Sequence, residues 1–179
     1  MSAIFIRRTW ETNSSSSHSL VLVDLDKAPP LTPAGTFGPV VDGELIVNPV
    51  QREFGWQWEV WEDPATKIMY LLLDGFDRNR LQAILDNRLV GQDGVVRVKL
   101  PEGDSSATGD AYSYIDHESV GTSAELRDKT DDQVWAFLVG PSVIQGGNDN
   151  DQNGPWVTDR ERRDNRQAEE AVWDSPGDA

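Results

Sequence analysis

The sequence predicts an α+β protein: a single compact domain in which a mixed or antiparallel sheet packs against two or three helices. Apolar runs of strand length and stretches with helical spacing occur in one chain without a regular βαβ alternation. The 179 residues are 37% hydrophobic and include seven tryptophans, which is enough for a sizeable core. We expect this domain to span residues 1–151. Residues 152–179 are rich in charged side chains, and we expect a charged helix or a flexible tail there.

The first two elements are expected to be strands. Residues 3–9 alternate weakly and contain β-forming side chains, and Leu20 to Leu25 is an apolar run interrupted only by Asp24. Two strands so close in the chain predict a β-hairpin. The polar segment between them is then expected to be a wide loop, with a histidine where the second strand begins.

Three helices follow from local signals. Asp63 is placed to cap a first helix that starts at Pro64, and Gly75 is placed to end it. A second helix is predicted from Asp77 to about Leu89, and its apolar stripe is expected to face the core. Thr130 or Asp131 is expected to cap a third helix that Gly140 stops. The stripe of the second helix consists of Leu81, Ile84, Leu85 and Leu89.

Short strands are predicted between and after these helices. The strand candidates are Glu44–Asn48, Val95–Leu100, Tyr112–Ile115 and Ser142–Ile144. The run from Gly146 to Asp151 is polar and glycine-rich, which predicts a turn. Its carboxylates and backbone oxygens are also ligands of the kind that bind hard cations, so Asp149 and Asp151 are candidate metal ligands.

The composition restricts the classes of function. A formal net charge of -15 disfavours direct nucleic-acid binding, because nucleic-acid binders normally carry a basic face. The same charge is compatible with solubility alone, with a basic protein partner, or with mimicry of a polyanion. The chain has no cysteine, which excludes disulfides, thiolate catalysis and cysteine-bound zinc. We expect a soluble cytoplasmic protein without a membrane span.

The segment Thr12–Ser19, with the sequence T-N-S-S-S-S-H-S, is the first candidate site. In a loop, its hydroxyls and backbone amides would be able to hold an anion. His18 would stand beside them as a general acid or base, because the free pKa of histidine lies near neutrality. The alternative is that the histidine and serines only tie down the loop. The candidate ligand-binding residues here are Asn13, Ser14, Ser15, Ser16 and Ser17.

The second histidine lies in the segment Asp116-His117-Glu118-Ser119. Two histidines can act as acid and base in phosphodiester chemistry, so His18 and His117, with Asp116, are the candidate catalytic residues. The H-x-S pattern of two-histidine phosphoesterases fits His117, with Ser119 as a ligand contact, but does not fit His18, which Leu20 follows at the third position. A solvated strand end is the alternative for this segment.

Aromatic side chains cluster at Phe54-Gly55-Trp56-Gln57-Trp58. Trp56 and Trp58 are two residues apart and would share one face of an extended segment. They are candidates to stack a base, and the alternative is that they cover a small core.

Several of these segments together resemble a family of small uncharacterised bacteriophage proteins. The resemblance covers about residues 4–151 and is carried mainly by T-N-S-S-S-S-H-S. Supporting matches are F-G-W, W-E-D-P-A-T-K-I-M-Y-L-L, Y-I-D-H-E-S and G-N-D-N-D. The resemblance implies a phage origin, and hence the host cytoplasm, but no mechanism. It also implies that four segments converge on one site, with Ser14 to His18, Trp56, Asp116, His117 and Asp149 as its residues.

Two functions remain open from the sequence. The first is a phage accessory protein whose polar pocket binds a phosphate-bearing small molecule or nucleotide, with hydrolysis of that ligand as a further step. The second is an acidic module that binds and inhibits a host enzyme, with a basic host protein as its partner and the 159–173 segment as a docking helix. No particular cofactor is indicated.

Overall fold

The computed structural model describes residues 3–7, 16–29, 31–55, 59–102, 114–115 and 123–148, and it confirms the α+β class. Within these residues the helices are α1 (Pro64–Leu73), α2 (Arg78–Leu89), α3 (Ala124–Arg127) and α4 (Asp131–Val139). The strands are β1 (Ala3–Arg7), β2 (Ser16–Val23), β3 (Val40–Val41), β4 (Glu44–Ile46), β5 (Glu53–Phe54), β6 (Glu59–Trp61), β7 (Arg97–Lys99), β8 (Tyr114–Ile115) and β9 (Val143–Asn148).

The main sheet has four antiparallel strands in the order β1-β2-β9-β6. The predicted hairpin of β1 and β2 is confirmed, with Arg7 opposite Ser19 and Ala3 opposite Val23. β9 inserts between β2 and β6, so the two central strands of the sheet come from opposite ends of the described chain. Two smaller sheets complete the fold: β3-β4-β7 and the parallel pair β5-β8.

Two predictions about polar segments are wrong. Ser16 to Ser19 were expected in a loop, but they form the first half of β2. Gly146 to Asn148 were expected in a turn, but they form the last half of β9. The two segments pair with each other, Ser16 opposite Asn148 and His18 opposite Gly146. Backbone hydrogen bonds of the sheet therefore outweigh the loop preference of serine and glycine.

Helix α1 is at the centre of the core. Asp63 caps it as predicted, because its side chain accepts a hydrogen bond of 2.8 Å from the backbone amide of Thr66. The seven residues from Ala65 to Leu71 are all buried, so the helix is enclosed on every side over two turns. The polar Thr66 and Lys67 lie within this buried stretch. A helix buried all round is expected only in a protein interior.

Helix α4 packs beside α1, and α2 packs against β7. The side chain of Asp77 accepts from the amides of Asn79 and Arg80, and the apolar stripe of α2 is buried, as expected. Thr130 and Gln133 form a reciprocal capping box at the start of α4. None of the described helices is long and apolar enough to cross a bilayer. The predicted tail, residues 152–179, lies outside the described residues, and the boundary at residue 151 stays a prediction.

Candidate ligand-binding site at one end of the sheet

The strands that flank the candidate segments meet at one end of the main sheet. β2 begins at Ser16, directly opposite Asn148, where β9 ends. β6 begins at Glu59, opposite Gly146, and β1 ends at Arg7 on the same side. We call this the Ser16 end of the sheet. Residues 8–15 and 149–151 follow strands that end there, and residues 56–58 precede a strand that begins there.

The small sheet β5-β8 is joined to the Ser16 end through His18. The imidazole Nε2 of His18 lies 3.2 Å from the carbonyl oxygen of Gly55, which follows β5. Phe54 pairs with Ile115, the last residue of β8, and its ring meets the Trp61 ring edge-on at 4.9 Å. The 116–119 segment therefore begins directly after a strand that is attached to the same place.

His18 is fully buried, with 0% of its surface exposed. Its ring meets the Trp61 ring at 5.7 Å and the Tyr70 ring at 5.5 Å, both edge-to-face. Phe54 meets the Tyr70 ring at 5.2 Å in the same manner. Edge-to-face packing is a favourable arrangement of aromatic rings. Four rings from β2, β5, β6 and α1 thus form one cluster, which we call the aromatic cluster.

Gly146 explains how rings from two strands that are not neighbours can meet. His18 is on β2 and Trp61 is on β6, and β9 runs between them with Gly146 opposite His18. Directly paired residues of an antiparallel sheet point to the same face, so a side chain at position 146 would stand between the two rings. Glycine leaves that space open. Gly146, one of the two glycines that suggested a turn, therefore lies on the face of the sheet that carries His18 and Trp61.

The contact of His18 with Gly55 assigns a donor. A carbonyl oxygen only accepts, so the Nε2 atom of His18 carries the proton that is shared with it. His18 thereby ties β2 to the residue that precedes the 56–58 segment. A buried donor held by a backbone carbonyl is well suited to fix the orientation of a loop.

The structure locates only part of the predicted site. His18 is described in full, and Ser16 and Ser17 are described by their backbone, opposite Asn148 and Gly147 in the sheet. The remaining candidates lie outside the described residues: Asn13, Ser14, Ser15, Trp56, Trp58, Asp116, His117, Ser119, Asp149 and Asp151. Their roles stay predictions. No group of three or more metal-binding side chains occurs in the described part of the chain.

Sequence reasoning missed a second fully buried polar side chain. Lys67 in α1 donates to the carbonyl oxygens of Phe137, Leu138 and Gly140 at 3.0, 3.2 and 3.3 Å. These carbonyls belong to the end of α4, where helical carbonyls lack partners within the helix. Burial lowers the pKa of Lys67 to about 8, and the negative charge of Asp63 opposes part of that shift. The signal in the sequence was a lysine directly before Ile68, at the start of the apolar residues of the first helix.

A groove of about 440 Å³ lies elsewhere, between the 25–29 segment and the start of α4. It lies beyond Val23, the end of β2 opposite to Ser16. Its two basic side chains already have partners, because Lys27 pairs with Asp24 at 2.7 Å and Arg88 pairs with Asp132. The groove and the residues that the sequence singles out are thus at opposite ends of β2.

The function is not indicated by similarity to known proteins. Comparisons of the chain with protein-family models, with curated proteins and with solved structures found no match.

Proposed function

We propose that the protein is a bacteriophage accessory protein that binds a small phosphate-bearing molecule at the Ser16 end of the sheet. The observation that carries the proposal is the meeting of strand ends described above. Ser16, Gly55, Ile115 and Asn148 are far apart in sequence, yet each adjoins a segment with candidate ligand contacts. Ligand sites are commonly built from loops that a rigid scaffold brings together.

The residue types next to these strand ends support a phosphate-bearing ligand. Serine hydroxyls and backbone amides of the 13–15 segment are suited to phosphate oxygens. Trp56 and Trp58 offer a stacking surface for a base. Arg7 occupies the last position of β1 at the Ser16 end, and it is a basic residue in an otherwise acidic chain. A nucleotide combines both features, so we favour nucleotides over simple phosphate.

In this proposal His18 and His117 have different roles. His18 is fully buried and donates to Gly55, so its contribution is to hold the frame of the site. His117 is then the candidate for proton exchange with the ligand, and Asp116 and Ser119 are the candidates to assist it. Hydrolysis of the ligand requires such an exchange and is the stronger form of the proposal.

A thermal-shift screen tests binding. The panel contains inorganic phosphate, mononucleotides, cyclic and linear dinucleotides, NAD and divalent metals. A ligand at 100 times its Kd adds roughly 2.7 kcal/mol to the free energy of unfolding, which raises the Tm of a domain of this size by several degrees. We expect a nucleotide to produce this shift in the wild-type chain.

The matched variants are Asn13→Ala/Ser14→Ala and the control Asn87→Ala. Asn87 is an exposed residue of α2 and adjoins none of the strand ends at the Ser16 end. The shift should disappear in the Asn13/Ser14 variant and persist in the Asn87 variant. A panel without any shift, or a shift that both variants retain, would refute binding at this end of the sheet.

The surface of the protein favours a second candidate, an acidic module that binds and inhibits a basic host protein. The net charge is -15, and two valines in or beside the three-stranded sheet are exposed: Val41 of β3 by 51%, and Val96, which precedes β7, by 73%. Binding through surface charge should weaken steeply with salt, whereas binding in a desolvated pocket should not. Affinity measured between about 50 and 500 mM salt separates the two candidates, because the Debye length of the solution falls about threefold over this range.

A further inference from the structure

The groove between the 25–29 segment and the start of α4 is the starting point for a further inference, which is independent of the Ser16 end of the sheet. Its volume of about 440 Å³ lies within the range of about 300–1,000 Å³ that is usual for small-ligand pockets. Leu25, Pro29 and Trp135 give it an apolar surface, and charged side chains of both signs lie beside them. An apolar surface with a few polar groups is typical of a ligand site.

The apolar surface of the groove is anchored in the core. Trp135 is only 5% exposed, and its ring stacks on the ring of Phe37 with the centroids 5.7 Å apart. Leu25 is partly buried and packs against the core as well. Packing of this kind restricts the movement of both side chains, so the apolar surface keeps its shape when no ligand is present.

One side chain joins the two walls of the groove. The Nε2 atom of Gln133 in α4 donates to Oδ1 of Asp26 at 2.8 Å, and the Oε1 atom of Gln133 accepts from the backbone amide of Thr130 at 3.0 Å. The 25–29 segment is thus attached directly to the first turn of α4. A site that is formed in advance binds its ligand at a lower cost in conformational entropy.

The charges that line the groove are balanced, although the chain has a net charge of -15. Lys27 and Arg88 are positive, and Asp26 and Asp132 are negative. Lys27 pairs with Asp24 of its own turn, and Asp26 is held by the amide group described above. The ion pair of Arg88 with Asp132 connects α2 to α4 at the groove.

This ion pair can open at little cost for a ligand that carries both charges. Arg88 and Asp132 are both exposed, and exposed pairs contribute little to stability. A simple anion on Arg88 would leave Asp132 without its partner, and a simple cation on Asp132 would leave Arg88 without its partner. A zwitterion that inserts between them leaves both side chains paired.

We propose that the groove binds a free α-amino acid with an apolar side chain. Its carboxylate binds the guanidinium of Arg88, its ammonium group binds the carboxylate of Asp132, and its side chain covers the apolar surface beside Trp135. A free α-amino acid carries both charges on one carbon atom, which suits insertion between two groups that are in contact with each other. Guanidinium–carboxylate pairs are also among the stronger hydrogen-bonded contacts.

Titration of the full chain with L-phenylalanine, followed by NMR through the backbone amide signals of α4, tests this proposal. We expect these signals to shift until the groove is saturated. Phenethylamine lacks the carboxylate and phenylpropionate lacks the ammonium group, so each should bind about tenfold more weakly, because a hydrogen bond to a charged group is lost. Glycine has both charges without the apolar side chain and should also bind more weakly.

The matched variants are Arg88→Met and the control Arg97→Met. Arg97 is likewise an exposed arginine paired with a carboxylate, that of Glu44 at 2.7 Å, but it does not line the groove. We expect Arg88→Met to weaken the binding of L-phenylalanine about tenfold and to abolish its advantage over phenethylamine. Arg97→Met should bind all four compounds like the wild type.

Three results would overturn the proposal. The first is the absence of any shift in α4 up to the solubility limit of L-phenylalanine. The second is an analogue with a single charge that binds the wild type as tightly as L-phenylalanine does, and the third is equal binding by the wild type and Arg88→Met. If Arg88→Met does not fold, the comparison of the four compounds on the wild type decides. The nucleotide panel and its Asn13/Ser14 variant concern the opposite end of β2, so the two proposals fail separately.

Discussion

His18 and Lys67 are both polar, both fully buried, and both in contact with α1 or part of it, yet their surroundings differ. Lys67 donates to three carbonyls of a single neighbouring element, the end of α4. His18 joins elements that are otherwise separate, since it contacts Gly55 after β5, Trp61 of β6 and Tyr70 of α1.

The difference distinguishes a structural polar group from one at the base of the proposed site. An ammonium group has three protons, and the three carbonyls accept all of them, so Lys67 completes the end of a helix and offers nothing to a ligand. His18 instead holds in place strand ends that continue into several candidate segments. Burial alone does not separate these cases, whereas the identity of the partners does.

The largest expected effect is that of removing the His18 ring. His18→Ala empties a site within the aromatic cluster, and we expect a loss of about 3–5 kcal/mol in the free energy of unfolding, as for other buried rings. Urea unfolding at neutral pH measures it. A loss below about 1 kcal/mol would show that the cluster collapses around the alanine and that His18 does not support the sheet.

The variant His18→Phe separates ring packing from the hydrogen bond. Phenylalanine restores a ring beside Trp61 and Tyr70 but leaves the carbonyl of Gly55 without the donor. An unsatisfied buried acceptor costs about 1–3 kcal/mol, so this variant should lie between the wild type and His18→Ala.

Replacing Lys67 should produce the second largest effect on stability, and the size of this effect should depend on pH. The pKa of Lys67 is about 8 in the folded protein and 10.5 for an ordinary lysine, so the unfolded chain binds more protons between these values. Stability of the wild type relative to Lys67→Met should therefore rise as the pH increases from 8 to 10.5. The full rise is about 3 kcal/mol, because each pKa unit corresponds to about 1.4 kcal/mol.

Parallel urea titrations of the two proteins at several pH values provide the measurement, and their difference cancels the other titrating groups. Lys27→Met is a suitable control for the loss of a lysine, because the Lys27 side chain is 68% exposed. A difference between wild type and Lys67→Met that stays constant or falls with pH would contradict the assigned environment of Lys67.

A smaller effect is expected from Asp63, which both caps α1 and opposes the pKa shift of Lys67. Asp63→Ala should cost about 1 kcal/mol through the lost cap, whereas Asp63→Asn should keep the cap. Both variants remove a negative charge near Lys67, so both should lower its pKa further and move the pH-dependent rise to lower pH. If the rise moves only in the alanine variant, the cap and not the charge of Asp63 controls the pKa of Lys67.

The smallest effect concerns a basic side chain at the surface. Arg88 pairs with Asp132 between α2 and α4, but the two side chains are 41% and 82% exposed. Exposed ion pairs contribute little, so Arg88→Ala should change stability by about 0.5 kcal/mol or less. Urea unfolding at low and high salt measures it, and a loss comparable with that of His18→Ala would remove the contrast between buried and exposed polar groups.

Helices α1, α2 and α4 were predictable from the sequence because their signals are local, whereas the short α3 was not predicted. Asp63 with Pro64, Asp77, and Thr130 with Gln133 lie within one turn of the helix ends that they fix. The β1–β2 hairpin was also predictable, since its strands are close in the chain. Neighbouring residues are sufficient to define these elements, and no knowledge of the rest of the fold is needed.

The centre of the main sheet was not predictable in this way. Ser16 to Ser19 and Gly146 to Asn148 have the composition of loops and become strands only by pairing with each other. The partners of Lys67 are 70 or more residues away in the chain. For the candidate site, the sequence identified the segments, and the strand pairing supplies a reason why they would belong together.

The pairing of β2 with β9 has a consequence for the synthesis of the chain. Each paired position is separated by more than 120 residues, so the ribosome must add those residues before the central strands can meet. At about 5–20 residues per second, the β1–β2 hairpin waits roughly 6–24 seconds with one side unpaired. During this interval its unpaired side is a template for wrong strand pairing, and truncated chains that end before residue 143 are expected to aggregate.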